Sequence, residues 1–154
     1  MKKLLYLLLL VPFGFLTSCD KEDLASFDMT LTLSGVTQSD GYFYAVAGDA
    51  VTIQSLDVRG TDGKNTTVAN VFFYLNNAPL FPDPWELGAP ISFSTEGLQP
   101  GIYTIGIVGN LLQVDQPIQN FASNYKLVIV GNEEDLPENA PELGSYSVTI
   151  NFSK

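Results

Sequence analysis

The chain has 154 residues and a formal net charge of -10, from 17 acidic and 7 basic residues, with one cysteine and no histidine. That balance excludes binding to phosphate backbones, which needs a basic surface. The missing histidine excludes a Ser-His-Asp triad, a Cys-His pair and a His-ligated zinc site. With 16% charged and 12% aromatic residues, the chain is too apolar to be disordered and long enough for one domain with a hydrophobic core.

The first segment, MKKLLYLLLLVPFGFL, sets Lys2 and Lys3 before an apolar run from Leu4 to Leu16. The run has the length of a signal-peptide core and is short for a bilayer span; Pro12 and Gly14 also break a helix. It ends in Leu16-Thr17-Ser18-Cys19. That tetrad resembles the lipobox of bacterial lipoproteins. The resemblance implies cleavage before Cys19, diacylglycerol on its thiol and an acyl group on the new amino terminus. Two or more chains anchor stably, where a single chain binds only marginally. No other cofactor is expected.

Asp20, Lys21, Glu22 and Asp23 follow at once. The cluster resembles the surface-export signal of lipoproteins in the Bacteroidota, which implies the outer face of the outer membrane. A solvated tether would have the same composition. Asp directly after the lipidated Cys resembles the retention signal of enteric bacteria, which would leave the domain facing the periplasm from the inner membrane. Residues 1–18 thus read as a lipoprotein signal peptide, 19–26 as an acidic tether and 27–154 as the folded domain.

From Phe27 the chain reads as strands. In FDMTLTL, Phe27, Met29, Leu31 and Leu33 share one face. GYFYAVAGD is a second strand, and its three consecutive aromatic residues must turn at least one ring outward. AVTIQSLDV keeps an apolar phase at Val51 and Ile53, then slips to Leu56 and Val58, which predicts a bulge near Gln54-Ser55. RGTDGKNTT is a loop. VANVFFYL puts Val71, Phe73 and Leu75 on one face, and Asn76-Asn77 predicts a hairpin turn to Leu80. LFPDPW suits an exposed crossover, and Ile91, Phe93 and Thr95 are in phase in the next short strand.

In GLQPGIYTIGIVGN, Leu98, Pro100, Gly101 and Tyr103 lead a tight turn into a strand that carries Ile105 and Ile107. This resembles the tyrosine corner of immunoglobulin-like and fibronectin type III-like sandwiches, where a Tyr hydroxyl bonds back to the backbone just upstream. It implies a largely buried Tyr103 bonded near 97–101. NLLQVDQPIQNFAS reads as an insertion or long connection. NYKLVIVG and SYSVTINF are strands, joined as a long hairpin by the acidic NEEDLPENAPELG. The expected fold is all-β: a single antiparallel two-sheet Ig-like sandwich of seven to nine strands, with a small barrel as the alternative.

Little in the chain points to catalysis. Asp57, Asp62 and Asn65 flank one loop and Glu133, Glu134 and Asp135 another, neither with the spacing of a calcium loop. No spacing singles out a carboxylate pair for glycoside hydrolysis. No metal site and no enzymatic activity are expected. The aromatic residues lead further. Trp85 and Phe81 sit in a loop stiffened by Pro82 and Pro84, beside Asp83 and Glu86, and Tyr42 and Tyr44 lie in the second strand. Rings of this kind stack on sugars or anchor protein interfaces when exposed, and pack the core or plug a sandwich end when buried. The expectation is a lipid-anchored, non-catalytic binding or adhesion module for glycan or surface protein, with the 81–86 loop on its membrane-distal or lateral rim. The alternative is an accessory or structural subunit of an outer-membrane assembly.

Overall fold

The computed structural model describes residues 26–152. The leader, Cys19 and the cluster Asp20 to Asp23 lie outside the described residues. The described chain is all-β. Its strands are β1 (Phe27–Ser39), β2 (Tyr42–Val46), β3 (Ala50–Gly60), β4 (Thr66–Leu75), β5 (Ala78–Pro79), β6 (Ile91–Ser94), β7 (Gly101–Gln113), β8 (Gln119–Val130) and β9 (Gly144–Phe152). They form one curled sheet in the order β5-β4-β7-β8-β2-β1-β3-β6, a half-barrel, with β9 added on β1.

Two features depart from the expected antiparallel pair of sheets. First, β2 runs parallel to β8, with Phe43 opposite Leu127 and Val46 opposite Val130. Second, β1 belongs to both halves. Its residues Phe27 to Ser34 pair with β3 and β9, and its residues Thr37 to Ser39 pair with β2. The bend between them falls at Gly35, where φ is 77°. A Cβ there would also run into the Ala50 carbonyl oxygen, so the crossing requires glycine.

The inward row of β1 is fully packed: Phe27 is 5% exposed, and Met29, Leu31 and Leu33 are 0% exposed. β3 carries the expected bulge. Thr32 faces Ser55 while Leu33 faces Ile53, which leaves Gln54 as the extra residue; its Nε2 donates to Ser34 Oγ at 2.7 Å. A second bulge, at Asn70 with φ 49°, shifts the inward phase of β4 from Val68 to Val71. Asn76 and Asn77 both adopt positive φ in the turn to β5, and the Thr104 amide donates to Asn76 Oδ1 at 2.8 Å.

The stretch 110–123 is no insertion. β7 runs on to Gln113, β8 starts at Gln119, and the two pair from Gly101–Ile129 to Leu111–Gln119. The acidic segment after β8 is no hairpin either. It contains a 3-10 turn at Glu133–Asp135 and crosses from β8 to β1, where β9 docks.

Tyr125 ties the two halves together. Its hydroxyl donates from β8 to the Met29 carbonyl of β1 at 3.0 Å, and its ring is 2% exposed. Burial pushes the phenol up to about 12 from its ordinary 10.0. A raised pKa in the folded state means that the folded form holds the proton more tightly. The stabilisation is complete below pH 10 and is lost as pH rises through about 12. Tyr125→Phe should cost about 1 kcal/mol at neutral pH. In denaturant titrations that difference should shrink, then reverse, as pH climbs from about 10 to about 12. A difference that does not change with pH would show that the phenol is not held neutral by the fold.

Candidate functional site on the outer faces of the sheet

The two outer faces of the sheet differ in chemistry. On the β9-β1-β3-β6 half the outward side chains are mostly hydroxyls that bond to one another. Thr30 Oγ1 meets Thr149 Oγ1 and Thr32 Oγ1 meets Ser147 Oγ, both at 2.8 Å, and Thr52 Oγ1 meets Ser92 Oγ at 2.7 Å. Such cross-strand pairs are an ordinary way to finish a solvated face.

The β2-β8-β7-β4 half is different. Strand alternation turns Tyr42, Tyr44, Val128, Ile102, Val108, Phe72 and Tyr74 outward, opposite the buried Phe43, Leu127, Ile107 and Phe73. Ile102 is 66% exposed. The register sets Tyr74, Gly106 and Asn124 side by side on three strands, with Phe72, Val108 and Ala122 in the next row. Gly106 has no side chain, so a trough of about 220 Å³ opens there, lined by Tyr74, Asn77, Val108, Ala122 and Asn124. A Cβ at Gly106 would stand 3.5 Å from Asn124 Oδ1 and 3.6 Å from Tyr74 Cβ. The trough is uncharged, with aliphatic and aromatic walls and two amides at its rim. That combination suits a neutral ligand that offers both a flat apolar face and hydroxyls.

The 81–86 loop is built otherwise than as an aromatic platform. After β5 the chain runs back along the edge of β4: the Leu80 amide donates to the Phe73 carbonyl at 2.9 Å and the Trp85 amide to the Val71 carbonyl at 2.7 Å. This puts the loop on the lateral side of the sheet. The indole is 6% exposed, meets Phe73 edge-on at 5.6 Å and donates from Nε1 to the Ala89 carbonyl at 2.7 Å. Trp85 is thus a packed ring with its one donor satisfied. It floors a second cleft of about 290 Å³, rimmed by Ser55, Asp57, Thr66, Thr67 and Leu87, where β3 and β4 part. Phe81 is half-buried against the core, and Asp83 and Glu86 are exposed. Tyr42 and Tyr44 lie on β2, separated from β4 by β8 and β7. The structure does not bring them to the 81–86 loop.

Tyr103 does bond back to the backbone: its hydroxyl donates to the Gln99 carbonyl at 2.9 Å. The ring is half-buried rather than largely buried, because it enters at the mouth of the sheet, at the start of β7. Tyr146 repeats the device at the start of β9, donating to the Glu142 carbonyl at 2.7 Å. In both, the acceptor is four residues upstream and a glycine stands two residues before the ring.

Among the described residues, no group of three His, Cys, Asp or Glu side chains is placed to hold a metal ion. The chain matches no family model and no curated protein sequence.

The sequence reading missed the trough. Its signal was present, since a strand with Phe73 inward must carry Phe72 and Tyr74 outward, and a glycine inside a strand marks a place of close approach. For Trp85 the expected outcome is structural: Trp85→Ala should destabilise the domain by about 3–5 kcal/mol in chemical denaturation. An unchanged unfolding midpoint would mean that the indole is not part of the core.

Proposed function

We propose that the chain is a lipid-anchored, non-catalytic recognition module of the outer membrane, displayed on the cell surface, and that its ligand is a glycan. The observation that carries the recognition reading is the uncharged trough at Gly106, walled by Tyr74, Val108 and Ala122, with Thr104 and the exposed Lys126 in the row beside it. An apolar trough with convergent amides is a feature of binding surfaces. A sugar ring offers the matching chemistry, an apolar face for Tyr74 and hydroxyls for Asn77 and Asn124.

The anchor reading rests on Leu16-Thr17-Ser18-Cys19 and the cluster from Asp20 to Asp23. Phe27 and Phe152 pair at one end of the sheet. With lipid on Cys19, that end faces the membrane and the 131–143 segment points away. Glu133, Glu134, Asp135, Glu138 and Glu142 then stand clear of anionic headgroups.

The fold reading that accompanies this is a variant Ig-like sandwich. The strand groups β1·β3·β6 and β4·β7·β8 support it, since their order matches strands A, B, E and C, F, G of that fold, with Tyr103 at the start of the F-like strand. The parallel β2 and the added β9 are departures from it. A second reading, an accessory subunit of an outer-membrane assembly, is favoured by one feature, the open edge of β9.

Two measurements test the proposal. Gly106→Val fills the trough and Tyr74→Ala removes its aromatic wall; each should abolish capture on a glycan array and leave the fold intact by circular dichroism. Capture retained in both variants would contradict the trough as the binding site. Mass spectrometry of the native amino terminus should find acylated Cys19 with nothing before it, and a free thiol there would contradict the anchor. With Lys21, Glu22 and Asp23 all changed to Ala, lipidation should persist while surface protease accessibility falls.

A further inference from the structure

The strands at the edges of the sheet are protected unequally. β5 has two residues, one of them Pro79, and β6 has four. Short strands and proline are common ways of blunting an edge that would otherwise pair with another chain. β9 has neither protection. It is nine residues long, contains no proline and no charged residue, and pairs with β1 alone. Its outer edge therefore presents a run of backbone donors and acceptors with no partner strand among the described residues. Its inward side chains, Tyr146, Val148, Ile150 and Phe152, pack against the core yet are only half-buried.

The pattern of β9 is complementary to itself. From Ser145 to Phe152 a Ser, Thr or Asn alternates with an aromatic or aliphatic residue. In an antiparallel pair, residues directly opposite one another project to the same face. A two-fold axis at Val148, the middle residue of the strand, sets Val148 against its own copy, Tyr146 against the other copy's Ile150, and Ser147 against the other copy's Thr149. Apolar side chains then meet apolar ones on the inward face. On the outward face, the hydroxyl pairs Thr30–Thr149 and Thr32–Ser147, each bonded at 2.8 Å, run on into the second copy. One patch serves both partners, as a closed two-fold interface requires.

Charge selects the direction. The segment 131–143 sits at the Gly144 end of β9, held by the Tyr146 hydroxyl on the Glu142 carbonyl at 2.7 Å and by the Thr37 hydroxyl on the Pro141 carbonyl. It carries five carboxylates and no lysine or arginine. At the Phe152 end, Asp28 of β1 stands opposite Arg59 of β3, and Lys154 follows two residues after Phe152 in the sequence. Antiparallel pairing brings each acidic segment to the lysine end of the other copy. Parallel pairing would bring the two acidic segments together.

We propose that the outer edge of β9 pairs with β9 of a second copy of this chain, antiparallel about a two-fold axis at Val148, and joins the β9-β1-β3-β6 halves of both copies in one continuous sheet. The pairing does not depend on the lipid anchor or on the Gly106 trough. With the anchor of the proposed function, the two amino termini leave the pair at opposite ends, so it joins chains held in two facing membranes.

The test protein is residues 19–154 with Cys19→Ser, which retains every described strand. Sedimentation equilibrium should show dimers with a Kd below about 100 μM, and amide exchange along β9 should slow as protein concentration rises. Ser147 and Thr149 are exposed and face each other across the axis. Changing both to Lys should weaken the dimer at least about tenfold by like-charge repulsion, and changing both to Glu should do the same. An equimolar mixture of the lysine and glutamate chains should dimerise again, which misfolded variants could not do. Lys154→Glu should weaken the dimer several-fold at low salt and leave it unchanged at roughly 1 M, where the Debye length falls to about 3 Å. A chain that stays monomeric up to about 1 mM overturns the proposal and leaves the edge to a different polypeptide. Dimers that the lysine pair does not weaken place the contact elsewhere and also overturn it. Failure of the mixture to dimerise, or no effect of Lys154→Glu at low salt, overturns the antiparallel register.

Discussion

Gly35 stands where β1 leaves one half of the sheet for the other, and the architecture follows from that bend. With a positive φ and the Ala50 carbonyl oxygen directly in the path of any Cβ, the position admits no other residue without displacing β3. Once β1 has crossed, the turn at Asp40-Gly41 reverses the chain. β2 is then obliged to run in the same direction as β8. The parallel pair is thus a consequence of the bend. It closes one corner of the half-barrel over Phe43, Ala45 and Leu127, all 0% exposed. Tyr125 secures the same corner from within, spanning the core to the Met29 carbonyl.

The same bend decides what remains open. β2 is five residues long, so it covers only the end of β8. The inward row of β9 is covered less fully than that of β1: Val148, Ile150 and Phe152 pack against the core yet stay half-buried. On the far side, β3 and β4 diverge, and the chain closes that mouth with Trp85 rather than with a strand. One mouth is sealed by a bonded indole, the other is bordered by an unprotected strand. The two outer faces divide similarly, one finished in paired hydroxyls, the other left aromatic and aliphatic around Gly106.

Much of the strand content was legible because burial obeys the period of the strand. Phe27, Met29, Leu31 and Leu33 alternate with polar residues and all four are buried; the phase slip in β3 marked Gln54; and Asn76-Asn77 marked a turn that needs left-handed backbone. Pairing direction was not legible, since a five-residue strand such as Tyr42–Val46 has the same side-chain pattern in either orientation. The β7–β8 hairpin was obscured by Val114 and Ile118, apolar residues that are 55% and 69% exposed and blur the boundary of the strands. Proline on both sides of Asp83 suggested an exposed loop at Trp85. What the sequence could not display was the Ala89 carbonyl, brought within reach of the indole only by the tertiary fold. The corner at Tyr146 lacked the Pro-Gly turn that announced Tyr103, although the spacing from glycine to ring is the same.

Amide hydrogen exchange of the isolated domain at low protein concentration tests the open edge most directly. Along Gly144–Phe152, alternate amides point to β1 and to solvent. Slow and fast exchange should therefore alternate residue by residue through β9, while β1, paired on both sides from Phe27 to Ser34, is protected throughout. Uniform protection of β9 would contradict a free edge and, with it, the link between that edge and the bend at Gly35.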